Sequence, residues 1–561
     1  MSAGRLAEAR FLRAVMAPMV VALPPLFWVV DATRRQAATT LGRDQGIFQY
    51  VAWALGRGAV DYRDIRDVNG PLTHLIHRLF FAFGGEDEHR FHLLDVGVSA
   101  LVFLGVGACL PGWRSRRSPA WLERAAWSIT GWVVLSGQYL LYGFWDAAQR
   151  ESFFDWFMLS SVALQLAGQG ARGSRQPWLL AVAGALSILP WFGKPTYALF
   201  TVAQIAVLAV DPKMAIGRGP AIGLFALGGV IGAVAPIAFI LVSGDLGAFL
   251  RIQLVDVPAM YRFIWARSAP DLLGTPFYAT YAALALGGAV SFVALVLLDE
   301  MPRRVLVTAL VPLCALGSVV IQGKGFPYHF HPVTAGVYLQ WIVFASWLTE
   351  RTRVARRAWA LVRFVPIAVG VVLAIEVSTA LEASPYIRDS WLLWAVSAPG
   401  ARTTPEYFGH FDRSDYFPYE MREAAGYLQS HTGPDDRVQT YGMDAYLLFL
   451  ARRLSATPYI YAYDLNADAA LAGGTAARPD GAEAERIRAM RTAHETDLLA
   501  RVIAEPPAAF VFVDGSPLLS EEDAWDDFEA HCERAADWVR VHYRETARFG
   551  HHHVWLRLDL S

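Results

Sequence analysis

PAIGLFALGGVIGAVAPIAFILV, residues 220–242, carries no charged or polar side chain from one end to the other. As a helix rising about 1.5 Å per residue, it is long enough to cross roughly 30 Å of hydrocarbon. A helix is also the form in which a spanning segment satisfies its own backbone N–H and C=O groups. Similar runs recur on both sides of it, near residues 11–30, 91–110, 122–142, 153–168, 178–193, 196–210, 273–297, 305–321, 332–349 and 359–379. The sequence therefore predicts a polytopic α-helical membrane protein of about eleven transmembrane helices. The run at 11–30 is followed by Asp31 and the Arg34–Arg35 pair without a small-x-small site, so it reads as an uncleaved span and not as a signal peptide.

The composition agrees. Of 561 residues, 55% are hydrophobic and 18% are charged, against about a quarter charged in a soluble chain. Mean hydropathy is only +0.31, because the apolar blocks stop after Glu382. Residues 1–380 thus read as the membrane domain and 381–561 as a soluble one. The net charge of −2 gives no field for nucleic acid, and the three cysteines form no framework.

Basic residues set the direction of the spans. Arg5, Arg10 and Arg13 precede the first; Arg114, Arg116, Arg117 and Arg124, Arg172 and Arg175, Lys213 and Arg218, Arg303 and Arg304, and Arg351, Arg353, Arg356 and Arg357 fill every second connection. With an odd helix count the N-terminus is expected in the cytoplasm and the C-terminal domain outside it.

Two outer segments exceed a simple connection. In the first, about residues 31–90, Ile47, Tyr50, Val51, Ala54 and Leu55 recur at helical spacing, as do Leu72, Leu75, Ile76, Leu79 and Phe80 after Pro71. These predict two amphipathic helices at the membrane surface. The second, 244–270, has an amphipathic middle. The soluble domain reads as α/β: strands at 437–441 (RVQTY) and 509–513 (AFVFV), a closing strand at 553–560, helices at 445–453, 482–503 and 521–542, and a flexible loop at 473–481.

Ionisable residues at the outer ends of the spans are where chemistry is expected, since charge near a bilayer is costly without a role. They are Asp44 in GRDQGIFQY; Asp61, Arg63, Asp64 and Asp67 in DYRDIRDVNGPL; Asp146, Arg150 and Glu151 in GFWDAAQRESFF; Lys194 in WFGKPT; and Lys324, Tyr328, His329 and His331 in QGKGFPYHFHP. A carboxylate with nearby cations suits sugar transfer from a polyprenyl phosphate. One acid takes the acceptor's proton, and cations hold the charge of the departing phosphate. Plainer roles compete with this one. Asp44 could cap a helix, Asp61, Asp64 and Asp67 could form a solvated salt-bridged turn with Arg63 and Arg66, and Lys324 could snorkel. His329 and His331 would share a face only on a strand, and with no third ligand no metal site is expected. No nucleotide motif is present, and no cofactor is expected.

At these loops the chain resembles the GT-C superfamily of membrane glycosyltransferases, in the branch of aminoarabinose-transferase-like and protein O-mannosyltransferase-like proteins. Four places carry the resemblance: Asp44 ahead of Phe48 and Tyr50; Gly58, Tyr62, Arg63, Asp64, Asp67 and Pro71; Ala148, Gln149, Glu151 and Ser152; and Lys194, Pro195 and Thr196. It implies that Asp44 is the catalytic acid of the first loop and that Asp146 or Glu151 is the second acid near the donor. It likewise implies Lys324 and His329 near the lipid phosphate, with Lys194, Tyr328, Arg63 and Arg150 as further donor-binding residues. Gln45 stands where the family often has a second acid. The expected enzyme is a hexosyl- or pentosyltransferase of the bacterial inner membrane. It would use a polyprenyl-phosphate sugar donor, a glycan, lipid or protein acceptor, and membrane lipid. A lipid-linked sugar transporter or flippase, and a polysaccharide polymerase or ligase using a diphosphate-linked donor, are the alternatives.

Overall fold

The computed structural model describes residues 26–354 and 399–560, apart from 28, 111–120, 172, 174, 212 and 213. The expected spans at 11–30 and 359–379 and the basic residues at 5–13, 114–117, 172, 213, 356 and 357 lie wholly or largely outside the described residues. Within them the chain is mostly helical. The membrane part comprises α1 (Arg43–Gly56), α2 (Pro71–Gly84), α3 (Glu88–Cys109), α4 (Trp121–Leu140), α5 (Arg150–Gly170), α6 (Arg175–Ile188), α7 (Ala198–Val210), α8 (Arg218–Ser243), α9 (Pro276–Leu297), α10 (Val307–Gln322) and α11 (His331–Val354).

Four helical stretches are long and apolar enough to cross a membrane: α3, α8, α9 and Arg303–Gln322. In the most apolar window of α8 only 33% of residues are buried, and Val230, Ile231, Val234, Leu241 and Val242 point outward. A continuous apolar face of that kind belongs against lipid and not against water. The other side of α8 explains its glycines. A Cβ on Gly228 would lie 1.8 Å from the Ala181 carbonyl, and one on Gly184 would lie 1.9 Å from that of Phe225. α6 and α8 therefore pack backbone to backbone, as small residues permit in membranes.

The C-terminal part holds α12 (Pro418–His431), α13 (Tyr446–Ala451), α14 (Gly481–Ala504), α15 (Ala524–His531) and α16 (Glu533–His542) around one sheet. Its strands are β1 (Arg437–Tyr441), β2 (Leu454–Ser455), β3 (Ala509–Val513), β4 (Tyr543–Phe549) and β5 (His552–Arg557), in the order β2-β1-β3-β5-β4. β1 runs parallel to β2 and β3, with Thr440 opposite Val511. β5 lies antiparallel to β3, with Val511 opposite Val554, and to β4. The expected helix at 521–542 is two helices, broken at Cys532. The 473–481 loop is anchored, with the Ala476 N–H donating to the Ala266 carbonyl at 3.1 Å.

Two expectations for the first outer segment need correction. α1 is not an exposed amphipathic helix, because most of it is buried and the C-terminal part covers it. Gly46 sits under the Tyr446 ring, where a Cβ would approach to 2.5 Å, and Trp53 meets Phe449 edge-on. Nor are Asp61 and Asp67 solvated. Both are fully buried, and both accept from His74, at 2.7 and 3.0 Å. Only Asp64 keeps the expected surface pair with Arg63.

Candidate functional site

α1 begins after Gly42, and its first turn holds Asp44. The cap belongs to its neighbour. Gln45 Oε1 accepts from the Gly42 N–H at 2.8 Å, and the Gln45 amide donates to the carbonyls of Phe144 (2.7 Å) and Ala147. A carboxylate at 45 could accept but could not donate to those two carbonyls, which accounts for glutamine there. Asp44 is thereby spared the capping role. Among the described residues no hydrogen bond or ion pair holds its carboxylate, and it lines a cavity of about 230 Å³. Burial pushes its pKa up against the pull of Arg43 and Arg150.

The same cavity is lined by Arg150, Lys324 and Tyr328. Arg150 opens α5 after Gln149, whose N–H donates to Ser152 Oγ at 2.9 Å. Its guanidinium donates to Asn69 and to Glu151, the latter at 3.3 Å. Glu151 faces away from the cavity into a buried cluster. It pairs with Lys194, and His329 Nε2 lies 3.5 Å from it and 2.9 Å from Lys194 Nζ. Lys194 also donates to Gln322. One carboxylate thus gathers three basic side chains just behind the cavity wall.

Lys324 lines the cavity, but its ammonium is turned to backbone. It donates to the carbonyls of Tyr261 (2.7 Å) and Ile264 and sits 4.5 Å from the centre of the Tyr261 ring. Burial pushes its pKa down to about 7. Asp146 is buried beside the cavity, and burial, with the Asp44 charge added, pushes it up to about 8. Arg63 does not join the group; it pairs with Asp64 at the surface and lines a different cavity. His331 is separated from His329, stacking on Tyr142 with centroids 3.7 Å apart and meeting Asp155 at 3.3 Å. Among the described residues no three His, Cys, Asp or Glu side chains are grouped as a metal site would need.

Several lining residues were not singled out from the sequence. The C-terminal part supplies Asp415, Met443, Tyr461, Tyr463 and Leu518, and the second outer segment supplies Tyr261 and Trp265. Arg43 ties these parts together: it donates to Asp444 at 2.8 Å and to Asp415 at 3.1 Å, near the rings of Trp145 and Tyr416. The alternating tyrosines of PYIYAYD (458–464) were the available signal.

No family model matches the chain, and no curated protein matches it. Solved structures do. ArnT from Cupriavidus metallidurans bound to undecaprenyl phosphate is 15% identical over 96% of this chain and 97% of its own, with a TM-score of 0.50. The same protein in the apo state is 16% identical over 95% and 97%, with a TM-score of 0.49. The oligosaccharyltransferase AglB from Archaeoglobus fulgidus, in complex with an inhibitory peptide and a dolichol-phosphate, is 11% identical over 87% and 69%, with a TM-score of 0.43. At these identities likeness speaks to fold alone, and the argument rests on the first of the three: this chain has the fold of ArnT.

Proposed function

We propose that the chain is a membrane glycosyltransferase that moves a sugar from a polyprenyl-phosphate donor to an acceptor at the outer face of a bacterial inner membrane. The observation that carries this is the Asp44 carboxylate, unpaired among the described residues and lining a cavity whose wall also holds Arg150. The similar ArnT was crystallised bound to undecaprenyl phosphate, which supports a lipid phosphate as the leaving group.

In the proposed step the acceptor hydroxyl gives its proton to Asp44 as its oxygen attacks the anomeric carbon. The bond from that carbon to the phosphate oxygen breaks, and its electron pair leaves on the phosphate with inversion at carbon. Arg150 meets the developing negative charge. Glu151 and Asn69 hold Arg150 in place, and Lys194 pairs with Glu151 behind it. Tyr328 and Lys324 shape the donor side of the wall, and Asp146 acts as a second acid beside it. The proposal includes about eleven spans, a cytoplasmic N-terminus, a membrane domain of residues 1–380 and an extracytoplasmic domain of 381–561. The acceptor is a glycan, lipid or protein.

The test is Asp44→Asn, assayed for transfer in membranes with lipid-linked donors. Turnover is expected to fall about 10²- to 10⁴-fold, the usual contribution of a general base, with the unfolding temperature unchanged. Wild-type turnover from a folded, inserted variant overturns the assignment. Running the same assay with diphosphate-linked carriers separates this transferase from a polymerase or ligase.

A further inference from the structure

A second cavity, of about 380 Å³, shares no lining residue with the first. α1 connects the two. Asp44 stands in its first turn and Arg57 caps its far end, roughly 20 Å away at about 1.5 Å per residue. Four guanidiniums line this second cavity, those of Arg57, Arg63, Arg437 and Arg501, against the two carboxylates of Asp64 and Glu505. They come from three separate places: the first outer segment, β1 and α14.

The chain holds this arrangement in place. The edge strand β2 forms one wall, and the Ser455 N–H donates to the Tyr50 hydroxyl at 2.8 Å. The Arg66 N–H donates to the Pro458 carbonyl at 2.9 Å, and the Asp61 N–H to that of Ser243, the last residue of α8, also at 2.9 Å. The cavity therefore lies close to the end of a membrane-length helix.

Its cations are partly exposed. Arg63 pairs with Asp64 (2.9 Å), Arg437 with Glu505 (3.4 Å) and Arg501 with Asp497 (2.8 Å), with guanidinium side chains 37–55% exposed. Exposed single-bond pairs hold little; Arg63 is held more firmly, by two bonds to Asp64, and Arg437 also donates to the Ser455 carbonyl at 2.9 Å. Arg57 has no acidic partner among the described residues and rests over the Trp53 ring at 5.4 Å. A planar guanidinium fork matches the oxygens of a phosphate, and an incoming dianion can engage several at once.

We propose that this cavity binds a phosphate-bearing group, carried either on a lipid headgroup or on a soluble molecule. The site stands on its own lining and does not depend on the transfer reaction. The test begins with the full chain in detergent, titrated calorimetrically with inorganic phosphate at low salt. Saturable binding is expected, weakened about tenfold or more in an Arg57→Gln/Arg437→Gln variant that loses two guanidiniums. Glu505→Gln releases Arg437 from its acid and is expected to tighten binding about two- to threefold. Undetectable phosphate binding, or equal binding by the wild type and the folded double variant, overturns the site. If the double variant does not fold, Arg501→Gln alone decides by the same comparison.

The source is read separately, from nanodiscs of zwitterionic lipid with or without phosphatidylglycerol. Anionic phospholipid retained by the wild type but not by the variant assigns the site to a headgroup. Phosphate binding without lipid retention assigns it to a soluble phosphate.

Discussion

Asp44 and the Asp61–Asp67 pair belong to one stretch of the chain, residues 31–90, and are chemically identical side chains, yet the fold uses them in opposite ways. Asp61 and Asp67 spend their charge on His74, which donates from both ring nitrogens with no solvent in reach. Asp44 lines a cavity with no partner among the described residues, because Gln45 has taken over the helix cap. A buried carboxylate whose bonds are complete is architecture. One left open beside a guanidinium can accept a proton from something else. The difference lies in the neighbours, not in the acid.

The contrast can be broken at either end. Asp44→Asn is expected to give the largest change, the 10²- to 10⁴-fold loss of transfer described above, with no loss of stability. His74→Leu should do the reverse in kind. It strands two buried carboxylates and should cost about 3–5 kcal/mol of stability, read by thermal unfolding in detergent. A collapse of stability in the first variant or none in the second would erase the distinction.

Proton linkage sharpens it further. Burial lowers the His74 pKa, but Asp61 and Asp67 more than reverse this and raise it from 6.5 to about 10. A raised folded-state value means that the stabilisation is complete below the unfolded value of 6.5 and is lost as the pH rises through about 10. Thermal unfolding should show that decline in the wild type, and Asp61→Asn should make it shallower. Activity should respond at the other end of the scale. Burial raises the pKa of Asp44, and a base must be ionised, so transfer should fail on acidification at a pH above the ordinary carboxylate range. A profile flat down to the ordinary range would remove Asp44 from the role. The smallest effect belongs to Arg63→Gln. This residue pairs only with Asp64 at the surface and should shift stability by no more than about 0.5 kcal/mol, leaving transfer unchanged.

Much of this was legible in the chain. AFVFV and RVQTY read as strands because an unbroken β-rich run has few other uses, and both appear at the expected residues. Every expected span that falls on described residues is a helix. β4 was missed because YRETARF is an edge strand whose charges alternate with a few apolar positions, a pattern hard to tell from the tail of the preceding helix. The cluster of Glu151, Lys194 and His329 was legible as residues but not as a unit, since it joins positions 43 and 135 residues apart in sequence through the packing of α5, α7 and α10. The Asp–His–Asp triad was illegible for a related reason. His74 sits on the core-facing side of α2 together with His77, and a buried histidine in an apolar helix signals nothing until the loop before it folds back. Lys324 had the expected location but not the expected freedom, because its carbonyl partners lie in the second outer segment.

The bond between Arg43 and Asp444 joins residues 401 positions apart. At synthesis rates of about 5–20 residues per second, roughly 20 to 80 s pass between the emergence of the two partners. Throughout that interval α1 is made but uncovered, with Gly46 awaiting Tyr446 and Trp53 awaiting Phe449. The cavity around Asp44 cannot close until the last third of the polypeptide has been delivered and docked. A chain halted before that point would carry its carboxylate without the wall that faces it, and the order of synthesis itself would keep a half-built protein inactive.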